Sequence, residues 1–133
     1  MADISKRIKT PRRERGDYAL KTAAYDLKNS ESGSVFQWDS TTAFNFNLPR
    51  VRPEFKGVFF DFVINTAASS GTGHGVSPDS NDKIIGCGLT AADNKDVYFA
   101  TAGDAVGNGF RLVSDGLDGW VIFHLNGTLS REA

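Results

Sequence analysis

The residues able to do chemistry in this chain are few and scattered. It holds two histidines, His74 and His124, and one cysteine, Cys87. A zinc site takes three or four N, S or O ligands, mostly His and Cys, so this inventory points away from one; a single Cys excludes an internal disulfide. Gly71-Thr72-Gly73-His74-Gly75 has the glycine density of a phosphate loop. It carries no Gly-Lys-Ser/Thr, and no periodic helix follows it, so it reads as a flexible loop tip with His74 a solvated surface histidine. His124 alternates onto the face of Trp120 and Ile122 and reads as a core-edge or interface histidine. Asp79-Ser80-Asn81-Asp82 and Asp93-Asn94-Lys95-Asp96 are rich in oxygen. Neither has the calcium-loop spacing with a distal Glu, and Asn and Asp serve turns equally well. No Gly-x-Ser-x-Gly occurs. Asn126-Gly127-Thr128 fits a glycosylation sequon, but its Asn-Gly core is accounted for by a hairpin. The expectation is a protein that is not an enzyme and uses no cofactor or metal.

Charge is the more informative signal. The 133 residues carry a net charge of −1, unevenly spread. Residues 1–28 hold eight basic and four acidic side chains, and the remaining 105 hold seven basic and twelve acidic. An acidic body therefore carries a basic leader, densest at Lys6, Arg7, Lys9, Arg12, Arg13 and Arg15. Apart from Met1, Ile4 and Ile8 are the only large apolar residues before Tyr18. Burying two isoleucines does not offset the roughly 1–2 kcal/mol per residue needed to order the backbone around them. Residues 1–17 are expected to form an extended arm that is mobile until it docks, and residues 18–133 the body. The arm serves either as a docking strap for an acidic surface or phosphates, or as a solubilising tail. Residues 1–17 lack interleaved aromatics, which disfavours nucleic acid as the partner. No apolar run approaches the ~20 residues of a membrane span, and no apolar run follows the N-terminal charges as in a secretory signal.

The elements that must position these residues are strands. Fourteen Gly and ten Phe tilt the composition toward β-structure with many turns. Residues 43–48 alternate, with Phe44, Phe46 and Leu48 on one face and Asn45 and Asn47 on the other. In residues 57–64, Val58, Phe60, Phe62 and Ile64 share a face, while Phe59, Asp61 and Val63 take the other. Apolar residues on nearly both sides place this strand between layers or at an interface, so Phe59 and Val63 are predicted to line an oligomer contact. Further strands are predicted at 83–85, 97–99, 110–113 and 120–125. Asp115-Gly116 and Asp118-Gly119 mark a turn, and Asn126-Gly127 a hairpin with a brief return at Thr128-Leu129. Residues 67–82 hold four Ser, three Gly, one Pro and two Asp without periodicity and read as a long surface loop. Leu20, Ala24 and Leu27 have helical spacing, but Tyr25 and Leu27 also alternate, and the strand pattern is preferred. The fold expected is all-β, a sandwich or barrel-like domain of about seven to nine short strands.

The last third carries a resemblance. Gly103-Asp104-Ala105-Val106-Gly107-Asn108-Gly109-Phe110-Arg111-Leu112-Val113-Ser114-Asp115-Gly116, then Trp120-Val121-Ile122 and Asn126-Gly127-Thr128, resembles a module of tailed-bacteriophage virion proteins. Earlier pieces are similar in the same order: Tyr25-x-Leu27, Ser32-Gly33-x-Val35-Phe36, Phe44-x-Phe46-x-Leu48-Pro49, Gly57-x-x-Phe60-x-Phe62, Ile85-Gly86-x-Gly88 and Ala91-Ala92-Asp93-Asn94-Lys95. They span about residues 18–132; the 67–82 loop is longer than in such modules, and residues 1–17 have no counterpart in them. The pattern occurs both in capsid decoration (cement) proteins and in domains of tail fibres. The short length favours a decoration protein on the outer capsid surface, made in the host cytoplasm. The resemblance implies the major capsid protein as partner and self-association, as a trimer most often. The competing expectation is a tail-fibre or adhesin component whose 67–82 loop binds a host glycan.

Overall fold

The computed structural model describes residues 18–69, 71–100 and 104–133. Eleven strands are present among them: β1 (Tyr18–Lys21), β2 (Tyr25–Asp26), β3 (Val35–Asp39), β4 (Asn45–Asn47), β5 (Phe59–Thr66), β6 (Gly75–Ser77), β7 (Lys83–Ile85), β8 (Val97–Phe99), β9 (Gly109–Ser114), β10 (Gly119–Asn126) and β11 (Leu129–Arg131). Among the described residues helix is confined to two single 3₁₀ turns, Asn29–Glu31 and Pro53–Phe55. The all-β sandwich expected from the alternation is what the chain forms. The strands exceed the expected seven to nine because several are only two to four residues long, too short to show a period.

The strands make a six-stranded sheet, β1-β3-β5-β9-β10-β7, and a five-stranded sheet, β11-β8-β6-β4-β2. Through β6 the chain steps from one sheet to the other with every strand. Strands that neighbour one another in a sheet therefore run the same way: β1-β3, β3-β5, β2-β4 and β4-β6 are all parallel. The later half closes the layers with antiparallel pairs, β5-β9, β9-β10, β6-β8 and β8-β11, and the parallel pair β10-β7.

Alternation along each strand fills the space between the sheets. Phe36 and Trp38 from β3, Phe60, Phe62 and Ile64 from β5, and Phe110 and Leu112 from β9 meet Phe46, Val76, Val97 and Phe99 from the opposite layer. Trp38 sits at the centre, fully buried, with ring centroids 5.4 Å from Phe46 and 5.7 Å from both Phe62 and Phe99. Its indole N–H donates to the Gly75 carbonyl at 3.2 Å, which ties the two sheets together. Such a packed aromatic core supplies the bulk of the apolar burial that holds the sandwich.

Two expectations about connections are corrected. The 67–82 stretch is not one surface loop: its residues 75–77 are β6, inside the five-stranded sheet, with Val76 fully buried. A single apolar residue flanked by Gly and Ser leaves no periodicity to read. Asn126-Gly127 is not a two-strand hairpin either. β9 runs along one edge of β10, and β7 holds the other as far as Val121. The chain turns across to the other sheet, where β11 pairs with β8.

Candidate functional site

The two outer faces of the sandwich are built from the positions that alternate away from the core, and they differ in kind. On the six-stranded sheet, strand register lays these positions in cross-strand rows. Tyr18, Val35, Asp61, Arg111 and Phe123 form one row; Leu20, Gln37, Val63 and Gly109 form the next. Phe59, Val113, Val121 and Ile85 form a third. Tyr18, Leu20 and Phe123 are 65%, 49% and 46% exposed, and the remaining apolar members are half-buried. This face is thus largely hydrocarbon, of the kind that marks an interaction surface.

One ion pair stands in the middle of it. Arg111 Nε and Nη2 donate to Asp61 Oδ1 and Oδ2 at 2.7 and 3.0 Å, a bidentate fork, and the guanidinium lies 4.5 Å from the centre of the Phe59 ring. Phe59 and Val63 flank Asp61 on β5, where the alternation placed them. Beside them lies a hollow of about 270 Å³ between Val35, Val63 and Arg111. It exists because Gly109 puts no side chain opposite Val63; a Cβ there would collide with the Phe62 carbonyl.

His124 reaches the rim of that hollow, off the core face on which alternation had placed it. The β9-β10 ladder shifts register between Phe123 and Asn126, and His124 takes a left-handed φ of 54°. The bulge turns its side chain off the core face of Trp120 and Ile122, leaving it exposed. His74 is the opposite correction. It is fully buried, stacked on Trp38 with an 11° interplanar angle. Its Nδ1 accepts the Phe44 N–H at 3.2 Å, so Nε2 carries the proton and faces the Ser40 and Thr66 carbonyls at 3.0 and 2.9 Å. It is a structural clamp between the strand-end loops, not a solvated histidine.

The outer face of the five-stranded sheet is polar. Asp26, Asn47 and Ser77 form one row, and Asn45, Gly75, Tyr98 and Ser130 the next. The side chains are tied to one another: Asn47 Nδ2 donates to Asp26 at 2.7 Å, and Asn45 Nδ2 donates to Ser77 Oγ and Asp96 Oδ2, both at 3.0 Å. Burial raises the Asp96 carboxyl pKa above its ordinary value, partly countered by the Ser77 and Asn45 hydrogen bonds. A groove of about 440 Å³ runs over this face.

The oxygen-rich segments are turns, as expected: Asn94 adopts a left-handed φ of 56°, and Asp82 accepts the Val51 N–H at 2.8 Å from a buried position. Among the described residues no group of three or more His, Cys, Asp or Glu converges as metal ligands, and no helix is long and apolar enough to cross a membrane. Lys6, Arg7, Lys9, Arg12, Arg13 and Arg15 lie outside the described residues. Arg111, Val113, Val121 and Phe123 join Phe59 and Val63 in the apolar face; they belong to predicted strands but were not singled out there. What the sequence lacked was the strand order that brings them together. No protein-family model matches the chain, and no curated protein matches it in sequence.

Proposed function

We propose that this chain is a structural virion protein, a capsid decoration or cement protein that binds the outside of a phage head and stabilises it by bridging capsid subunits. The observation that carries the reading is the apolar outer face of the six-stranded sheet, centred on Phe59, Val63 and the Asp61–Arg111 pair. A face of that composition serves a protein whose work is contact. In this reading it joins copies of the chain, a trimer by the resemblance, and the covered face removes Phe59 and Val63 from water. The basic leader then pairs with carboxylates of the major capsid protein, setting docking rate and register more than net affinity. Several such contacts in one oligomer act together at high effective concentration. Neither a membrane nor nucleic acid has a part in this arrangement.

Deleting residues 2–16 is expected to abolish co-sedimentation with heads while leaving the body's circular dichroism unchanged; undiminished binding refutes the role of the arm. Phe59→Asp is expected to leave a folded monomer in analytical ultracentrifugation where the unaltered chain sediments as an oligomer. The second reading, a tail-fibre or adhesin component that binds a glycan, is favoured by the polar groove, which Thr72 and Gly73 of the 67–82 stretch help to line. Copy number separates the two: hundreds per particle on the head for a decoration protein, a few at the tail for a fibre.

A further inference from the structure

We infer that the groove over the five-stranded sheet is a binding site for a neutral saccharide. It takes up the ligand of the second reading above but not its place in the particle, so sugar binding and copy number can fail separately. The volume, about 440 Å³, lies in the range of roughly 300–1,000 Å³ typical of small-molecule clefts. Strand register sets Gly75 of β6, which has no side chain, between the lining residues Asn45 and Tyr98. A Cβ at that position would meet the Val97 carbonyl, Tyr98 Cβ and Asn45 Oδ1. The groove is thus a built feature of three adjacent strands.

The groups around the floor have the chemistry that a sugar ring requires. Asn45 spends both amide hydrogens on Ser77 and Asp96, which fixes its plane and leaves Oδ1, over Gly75, as an acceptor for hydroxyl groups. Asn47 is held in the same way by Asp26. Asp96 and Glu132 add carboxylate acceptors, and Glu132 Oε1 is itself positioned by the Asp96 N–H at 2.9 Å. Half-buried Tyr98 supplies a ring for the apolar face of a pyranose. Fixed acceptors beside an aromatic surface suit a polyol, whose hydroxyls donate.

Other ligand classes fit poorly. Among the described residues no Lys or Arg lines the groove and two carboxylates do, which repels phosphates and acidic sugars. An extended peptide finds no open main chain on the floor, since β4, β6 and β8 are each paired on both sides. The carboxylate oxygens that would meet a cation are partly committed to Asn45 and to the Asp96 N–H.

The test is amide chemical-shift mapping of the full chain with the methyl glycosides of glucose, galactose, mannose and N-acetylglucosamine, and with N-acetylneuraminic acid as the charged probe. At least one neutral glycoside is expected to shift Asn45, Asn47, Asp96 and Tyr98, with a dissociation constant near millimolar, and the charged probe to shift none of them. Tyr98→Ala is expected to weaken binding at least tenfold. Asn47→Ala, on the opposite wall, serves as the second variant, with unchanged shifts in β9 and β10 certifying the fold. Silence of the groove to all four glycosides at tens of millimolar overturns the proposal. So does binding that neither substitution weakens, or a charged probe that binds as well as the neutral ones.

Discussion

The two outer faces of this sandwich share one core and one rule, alternation along short strands, yet they have opposite surfaces. Outward positions on β5, β9 and β10 are Phe59, Val63, Val113, Val121 and Phe123 around one ion pair. Outward positions on β4, β6 and β8 are Asn45, Asn47, Gly75, Ser77 and Tyr98. The inward residues answer to packing and would be apolar in either sheet. The outward ones are free of that demand, and the two faces offer different surfaces: hydrocarbon on one side, amide, hydroxyl and carboxylate groups on the other.

The sharpest way to test the contrast is to remove half of the ion pair. Asp61→Ala leaves the Arg111 guanidinium unpaired beside Phe59. On an isolated chain the pair is partly solvated, at 28% and 37% side-chain exposure, and its loss costs about 1 kcal/mol or less. Beneath a second copy the same substitution strands a charge in a dry interface, at a cost of about 3–5 kcal/mol. Denaturant unfolding at dilute and at concentrated protein measures both. A destabilisation that does not grow with concentration means that the face stays open to water.

Next in size are the two glycines that hollow the faces. Neither Gly75 nor Gly109 adopts a left-handed φ, so what each position demands is space. A Cβ at Gly109 runs into the Phe62 carbonyl, and one at Gly75 into the Val97 carbonyl. Both obstacles are backbone in central strands and cannot swing aside. Gly75→Ala and Gly109→Ala are each expected to cost about 3 kcal/mol in chemical denaturation. Equal costs would show that both hollows are part of the strand packing, not accidents of the surface. A near-neutral Gly75→Ala would mean that the polar sheet gives way where the apolar one does not.

The strength of a local pattern decided what could be read before the structure. The strands at 83–85 and 97–99 have their predicted bounds, and β5, β9 and β10 lie within two residues of theirs, because each carries two or more apolar residues in register. β6 escaped because Gly75-Val76-Ser77 offers one apolar side chain, and its strand state comes from neighbours β4 and β8. His74 was misread for the same reason: glycines on both sides suggest exposure, and only the distant Ser40, Phe44 and Thr66 make it a buried clamp. His124 left its expected core-side placement through a one-residue slip, since a bulge reverses every side chain beyond it. Phe59 and Val63 were legible as outward apolar residues. The groove was not, because Asn45, Tyr98 and Glu132 lie on β4, β8 and beyond β11, and only sheet order gathers them.

The smallest expected effect is electrostatic, and it also divides between the sheets. In the β9-β10 turn, burial would raise the Asp115 pKa, but the N–H groups of Leu117, Gly119 and Asp118 donate to Oδ1 at 2.8, 3.1 and 3.1 Å, and the net direction is down. A lowered carboxyl binds fewer protons folded than unfolded near its ordinary value of 3.8. Its contribution to stability is present above that value and is lost as the pH falls through the folded pKa. Asp96, under the groove, is shifted the other way, chiefly by burial. The folded chain then holds its proton longer than the unfolded one, so this contribution is complete below 3.8 and is lost as the pH rises through the folded pKa. Asp115→Asn is therefore expected to flatten the acid limb of a stability profile and Asp96→Asn the limb above it. Asp82, also raised by burial, remains as a residual slope on that upper limb. Unfolding midpoints measured across this range in both variants decide the assignment. If Asp96→Asn steepens the fall with rising pH, the carboxylate is stabilised where it sits, and the groove is wetter than its burial implies.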